Sequence, residues 1–282
     1  MNLEEKNQKL QQILTDLGKI VVAYSGGVDS AFLLKAAVDT LGAENVLACI
    51  SAGDSEPSHQ LARATALAEE IGVELRTVET DELDDPNFVV NQADRCFHCK
   101  SHLCRTLLAI AEADGYRYVV FGTNYDDLDD FRPGNKAIAN FGVRSPLAEA
   151  ELTKDDIRAL SRALGLPTAD IPSSPCLASR ISYGLEVTAQ RLKQVDEAEA
   201  FLRDLGFVEF RVRHHDRVAR IEVPPGEIER LAGEPVRSQI VDKLKSLGFQ
   251  FVAVDLQGFR SGALNESLTE EQKRVSMEKQ RL

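Results

Sequence analysis

The chain has 282 residues, 43% of them apolar, enough to bury one large or two ordinary cores and to exclude a mainly disordered protein. Against 33 basic residues stand 45 acidic ones, and the formal charge of −12 opposes the field that tight nucleic-acid binding needs. No run of about 18 apolar residues occurs, and Met1-Asn2-Leu3-Glu4-Glu5-Lys6 lacks the basic-then-apolar layout of a secretory leader. The expectation is a soluble cytoplasmic protein with no membrane and no nucleic-acid partner.

Leu10, Ile13, Leu14 and Leu17 recur at helical spacing, and Ile20-Val21-Val22-Ala23-Tyr24 is a short apolar run suited to a buried strand. After a glycine turn come a helix over Ala31 to Leu41, a strand over Val46 to Ser51, a helix over His59 to Ile71 and a strand over Glu74 to Val78. A helix near Lys100 to Asp114, a strand over Tyr118 to Gly122 and a helix from Thr153 to about Leu164 continue the rhythm. Such alternation predicts an α/β fold, a doubly wound parallel sheet, for residues 1–170. Pro172 and Pro175 mark an irregular linker or active-site loop over residues 171–186. Beyond it a helix over Thr188 to Leu205, strands over Glu209 to Arg213 and Val218 to Val223, two further helices and a strand over Phe251 to Leu256 make a smaller α+β domain, residues 187–265. Residues 266–282 form a polar tail, and no internal repeat is present.

The first strand runs into Ser25-Gly26-Gly27-Val28-Asp29-Ser30 and a helix opens directly afterwards. Paired glycines let several N–H groups point at one anion, the two serines add hydroxyls, and the helix contributes its positive end. A phosphate site is expected here. The loop lacks the lysine of a Walker A motif and the third glycine of a dinucleotide fingerprint. It resembles the PP-loop of the N-type ATP pyrophosphatases, which implies ATP as substrate and pyrophosphate as leaving group. Asp29 is placed either as a Mg²⁺ contact or as a helix N-terminal acid serving the dipole. After the strand ending near Gly122, the runs Gly122-Thr123-Asn124-Tyr125-Asp126, Arg132-Pro133-Gly134 and Gly142-Val143-Arg144-Ser145-Pro146 resemble the nucleotide and substrate loops of these pyrophosphatases. That resemblance implies Gly122, Asn124, Asp126 and Arg144 as ligand residues, with Arg144 on phosphate; read alone, the same runs are polar turns.

Five cysteines, an odd number, argue against a disulfide framework. Cys96 and Cys99 form a C-x-x-C pair with no second pair at zinc-ribbon spacing, and His98 and His102 stand too close in sequence for an uncramped zinc site. A [4Fe-4S] cluster on three thiolates would leave one iron open, the third ligand being Cys104 or Cys176. Cys176 lies in the proline-stiffened loop, where Arg180 would favour its thiolate. Cys49 closes an apolar strand and reads as a small buried residue. In the second domain, alternation puts Arg211 and Arg213 on one strand face and Arg220 with Glu222 on another, an arrangement suited to a phosphate or carboxylate, or to surface ion pairs.

Cys176, the PP-loop and these arginines together resemble the LarE family, the ATP-dependent sulfur transferases of the nickel-pincer cofactor pathway of lactate racemase, over nearly the whole chain. The resemblance implies adenylation of a carboxylate of pyridinium-3,5-biscarboxylic acid mononucleotide, attack by Cys176, and release as a thiocarboxylate. It further implies phosphate contacts from Arg211 and Arg213, metal-binding acids at Glu199 and Glu222, symmetric oligomers, and transient contact with other enzymes of the pathway. Family members either sacrifice the single cysteine, leaving dehydroalanine, or hold a [4Fe-4S] cluster that carries an extra sulfide. The chain resembles the second kind, with Cys96, Cys99 and Cys176 as ligands. Other PP-loop adenylators, a tRNA thiolase or an ammonia-using amide synthetase, and a non-catalytic nucleotide or iron-sulfur protein are the competing expectations.

Overall fold

The apolar run after Lys19 is too short for a stable helix and forms the buried strand β1 (Ile20–Ala23). In the computed structural model, which describes residues 1–128, 133–172, 174–260 and 262–279, β2 (Val46–Ser51), β3 (Glu74–Val78) and β4 (Tyr118–Phe121) join it in a parallel sheet ordered β3-β2-β1-β4. The period of two divides the side chains between two layers. Ile20 and Val22 pack with α1 (Leu3–Leu17), α2 (Val28–Leu41) and α3 (Ser58–Ile71), whereas Val21 and Ala23 face the opposite layer. After α4 (Pro86–Val89), that opposite layer holds α5 (Arg95–Ala113) and α6 (Pro133–Asn140), while α7 (Pro146–Glu149) and α8 (Lys154–Ala163) return to the first. Capping boxes fix the starts of α1, through Asn2 and Glu5, and of α8, through Thr153 and Asp156.

Strand order reverses between β1 and β4, so the loops leaving these two strands meet where open α/β sheets bind ligands. Helix α5 begins at Arg95 rather than near Lys100, which places the C-x-x-C pair in its first turn instead of ahead of it. Arg132 and Ser173, named in the sequence runs, lie outside the described residues.

The smaller unit contains α9 (Ala189–Asp204), β5 (Arg211–His215), β6 (Val218–Glu222), α10 (Ile228–Ala232), α11 (Val236–Ser246) and β7 (Phe251–Val254), with α12 (Glu270–Lys279) in the tail. Its sheet is ordered β5-β6-β7, antiparallel then parallel, over a core including Leu202, Phe207, Phe210 and Ile221. Strand β5 starts at Arg211 and not at Glu209, because Phe207 and Phe210 both turn into that core and regular alternation begins only after them. No helix among the described residues is long and apolar enough to cross a membrane.

The connection between the units is irregular yet fixed. Leu177 donates its N–H to Ser55 O at 2.7 Å, Gly184 to Asn91 O at 3.0 Å and Val187 to Val89 O at 2.9 Å. Leu177, Ala178, Ile181 and Val187 bury against Phe88 of α4 and Leu192 and Val195 of α9. Phe88 is the wedge of this cluster at 1% exposure. Phe88→Ala should cost about 3–5 kcal/mol and lower Tm by roughly 10 °C, and it should speed alkylation of Cys176 measured by mass spectrometry under native conditions.

Candidate functional site

The glycine loop after β1 is held in the shape that its sequence predicts. Gly26 has φ of 70°, and a Cβ there would lie 2.6 Å from Ala64 Cβ, so both the left-handed backbone and the approach of α3 require glycine. Ser25 N–H donates to Ser30 Oγ at 3.1 Å, the two hydroxyls lie 3.0 Å apart, and Gln60 Nε2 donates to Ser25 O at 2.8 Å. Gly27 caps α2 without a side-chain bond, leaving the helix's first N–H groups to a ligand. Gly122, leaving β4, abuts this loop: a Cβ there would stand 2.9 Å from Ser30 N. Asp29 Oδ2 accepts from Lys154 Nζ at 2.6 Å, and its Oδ1 is buried with no hydrogen-bond partner among the described residues. An orphaned carboxylate oxygen beside a phosphate loop fits a divalent cation.

The other loop residues have local tasks. Asn124 and Asp127 each bond the other's backbone N–H through their side chains, at 3.1 and 3.3 Å. Asp126 Oδ2 accepts from Lys154 N–H at 2.8 Å and so fixes the start of α8. The Arg144 fork is filled by Glu149, whose hydrogen bonds raise the guanidinium pKa.

Cys176 opens the turn Leu177–Arg180 and packs with Cys99 against the cluster around Phe88. Three buried guanidiniums grip the backbone of this segment. Arg95 donates to Ala178 O at 2.9 Å and to Asn91 Oδ1. Arg180 donates to Pro175 O and, at 3.1 Å, to Cys176 O. Arg213 donates to Ser179 O at 3.0 Å. Asn91 completes the frame by donating to Ser182 O and Leu185 O, each at 2.8 Å. Burial pushes the Cys176 thiol pKa up; the positive charge of Arg95 opposes this, and the Cys96 thiol and Glu56 add to it. Burial likewise raises Cys99, with the Cys176 thiol adding to this and Lys100 opposing it.

Arg180, expected to favour the Cys176 thiolate, has further partners in the fold. Its guanidinium forms a bidentate pair with Glu199, at 2.9 and 3.0 Å, and holds carbonyls, whereas the charge facing the thiol belongs to Arg95. Arg95 immediately precedes Cys96, which was the available signal. Cys104 and Cys49 are core residues of the α5 layer, and burial pushes both thiols up to about 11. Among the described residues no three His, Cys, Asp or Glu side chains converge on a point that could hold a single metal ion. A four-iron cluster makes a different demand, since each thiolate binds its own iron and the sulfurs need only ring a common space.

Beside Cys96 lies a cavity of about 620 Å³. Arg95, Lys100, Arg158, Arg211, Arg213 and Arg260 line it, with Tyr183 and Phe259 as aromatic walls. The local field is therefore positive although the chain is acidic. Desolvation, then the neighbouring charge of Arg180, lowers Arg211 to about 10, and its guanidinium lies 4.9 Å over the Phe259 ring. Glu199 and Glu222 are both buried within ion pairs: Glu199 with Arg180, Glu222 with Arg213 at 2.8 and 3.0 Å and with Arg220 at 2.9 Å.

A sequence model of the NAD synthase family matches residues 3–131. An uncharacterized protein of Synechocystis sp. is 43% identical over 95% of this chain and 99% of its own. The pyridinium-3,5-bisthiocarboxylic acid mononucleotide synthase of Lactiplantibacillus plantarum is 38% identical over 96% of this chain and 97% of its own. An NH(3)-dependent NAD(+) synthetase of Methanococcoides burtonii is 26% identical over 57% of this chain and 62% of its own.

Burial would raise the Glu199 carboxyl, but the charge and hydrogen bonds of Arg180 hold it below the usual glutamate value. A depressed folded pKa contributes stability that is present above the unfolded value of about 4.3 and lost as pH falls through the folded value. Denaturant titrations from pH 7 downward should show this loss beginning near pH 4.3. Glu199→Gln should flatten that acid limb and cost about 3–5 kcal/mol at neutral pH by leaving Arg180 buried without its counter-charge.

Proposed function

The chain belongs to the LarE family within the PP-loop superfamily, and from that membership we propose that it adenylates a carboxylate of pyridinium-3,5-biscarboxylic acid mononucleotide and converts it to a thiocarboxylate. The observation that carries this reading is the pairing, in one chain, of a cation-lined cavity with a cysteine on its wall and a glycine loop whose helix N-terminus has no side-chain cap. Neither half alone requires sulfur chemistry.

The residues divide the work. The loop N–H groups and hydroxyls of Ser25 to Ser30 hold the β and γ phosphates of ATP, and Asp29 shares Mg²⁺ with them through its unpartnered oxygen. A substrate carboxylate oxygen attacks the α-phosphorus, the bond to the bridging oxygen breaks, and pyrophosphate leaves with that electron pair. Sulfur then bonds to the acyl carbon and AMP departs. The cationic wall orients the substrate's carboxylates and phosphate, and the guanidinium grip on residues 175–179 keeps Cys176 from retreating.

We propose Cys96, Cys99 and Cys176 as ligands of a [4Fe-4S] cluster, supported by the placement of Cys96 and Cys99 in one helical turn, by the packing of Cys99 and Cys176 against one apolar cluster, and by the raised Cys99 and Cys176 pKa values, which a metal would relieve by binding the thiolates. When bound, such a cluster supplies an exchangeable sulfide at its fourth iron.

Pyrophosphate release with ATP, Mg²⁺ and the pyridinium mononucleotide tests the adenylating half. Asp29→Asn should lower it by about 10²-fold, whereas Cys176→Ala should retain a burst of pyrophosphate yet give no thiocarboxylate by mass spectrometry. Pyrophosphate release that never depends on the mononucleotide would contradict the assigned substrate.

A further inference from the structure

Among the described residues, the cavity beside Cys96 is lined by six cationic side chains and a single carboxylate, that of Glu209. Several acids behind this wall are already engaged by arginines: Glu199 by Arg180, Glu222 by Arg213 and Arg220, Glu266 by Arg260, and Asp255 by Arg220 at 3.6 Å. Glu209 is exposed, lies two residues before Arg211, and makes no ion pair or hydrogen bond among the described residues. A ligand made only of carboxylates and phosphate gains nothing from it and is repelled by it. A pyridinium ring is different. Its nitrogen carries a fixed positive charge at every pH, and a wall of guanidiniums repels that charge unless an anion stands among them.

We propose that Glu209 is a specificity-determining residue that pairs with the cationic ring of the substrate and selects it over an uncharged ring bearing the same acidic groups. This rests on the assignment of a pyridinium mononucleotide as substrate. Phe259 supports it, since its ring already accepts the Arg211 guanidinium on one face and shows that this wall can hold a cation against an aromatic surface. The location of Glu209 just before β5 suits the task. The bend that buries Phe207 and Phe210 leaves Glu209 at the mouth, where the residue can meet the ring without being desolvated in advance.

The test is calorimetric binding to the full chain at low ionic strength, comparing pyridinium-3,5-biscarboxylic acid mononucleotide with its 1,4-dihydropyridine counterpart, which has the same carboxylates and phosphate but no ring charge. In the wild-type protein the pyridinium form should bind more tightly. Glu209→Gln should weaken the pyridinium form about three- to fivefold, the range of an exposed ion pair, and strengthen or leave unchanged the dihydro form, so the preference collapses; Glu209→Asp should restore part of it. The preference should also shrink as salt rises. Glu209→Gln changing both ligands by the same factor would overturn the role of Glu209. Failure of the wild-type protein to bind either mononucleotide would instead overturn the substrate assignment, and this inference with it.

Discussion

Three buried guanidiniums on the backbone of five residues are the constraint on which the site depends. Arg95 comes from the sheet domain, Arg180 from the segment itself and Arg213 from the smaller unit, and each donates to a carbonyl between Pro175 and Ser179. A charge taken out of water must find partners, so none of the three can release its carbonyls without severe loss. The segment that carries Cys176 is thereby fixed from three directions although it contains only one helical turn. Glu199 and Glu222 follow from the same demand as counter-charges for Arg180 and Arg213.

The same arrangement ties the cysteine-bearing elements to the parallel sheet. Leu177 bonds the carbonyl of Ser55, which follows β2, and Lys100 reaches from the cavity wall to lie 5.1 Å over the ring of Phe121 at the end of β4. The loop after β2 and the end of β4, whose Gly122 abuts the glycine loop, are thus contacted by the segment and the helix that carry the cysteines.

What the sequence could say depended on whether the signal was local. The strand, paired glycines and helix from Ile20 to Leu41 were legible because periodicity and turn chemistry act over a few residues, and the parallel sheet followed from their alternation. Nearness in sequence suggests Arg180 as the partner of the thiol, but it gives no sign that Arg95, far earlier in the chain, also bears on the charge of Cys176 once folded. Arg144 has its fork filled by Glu149, a pairing visible only once α7 brings the two together. Asn91 carried no readable signal at all, since its value lies in three carbonyls that only the folded linker presents. Glu209 gains meaning only from the cations that surround the cavity.

The claim that Cys96, Cys99 and Cys176 form one sulfur site is tested most directly by iron and acid-labile sulfide analysis, with the visible absorption spectrum, of anaerobically prepared protein and its Cys96→Ala, Cys99→Ala and Cys176→Ala variants. The account predicts about four irons per chain in the parent and loss of the cluster in each variant, with Cys104→Ala unaffected. A parent protein that takes up no iron on anaerobic reconstitution, or a cluster that survives loss of Cys176, would contradict it.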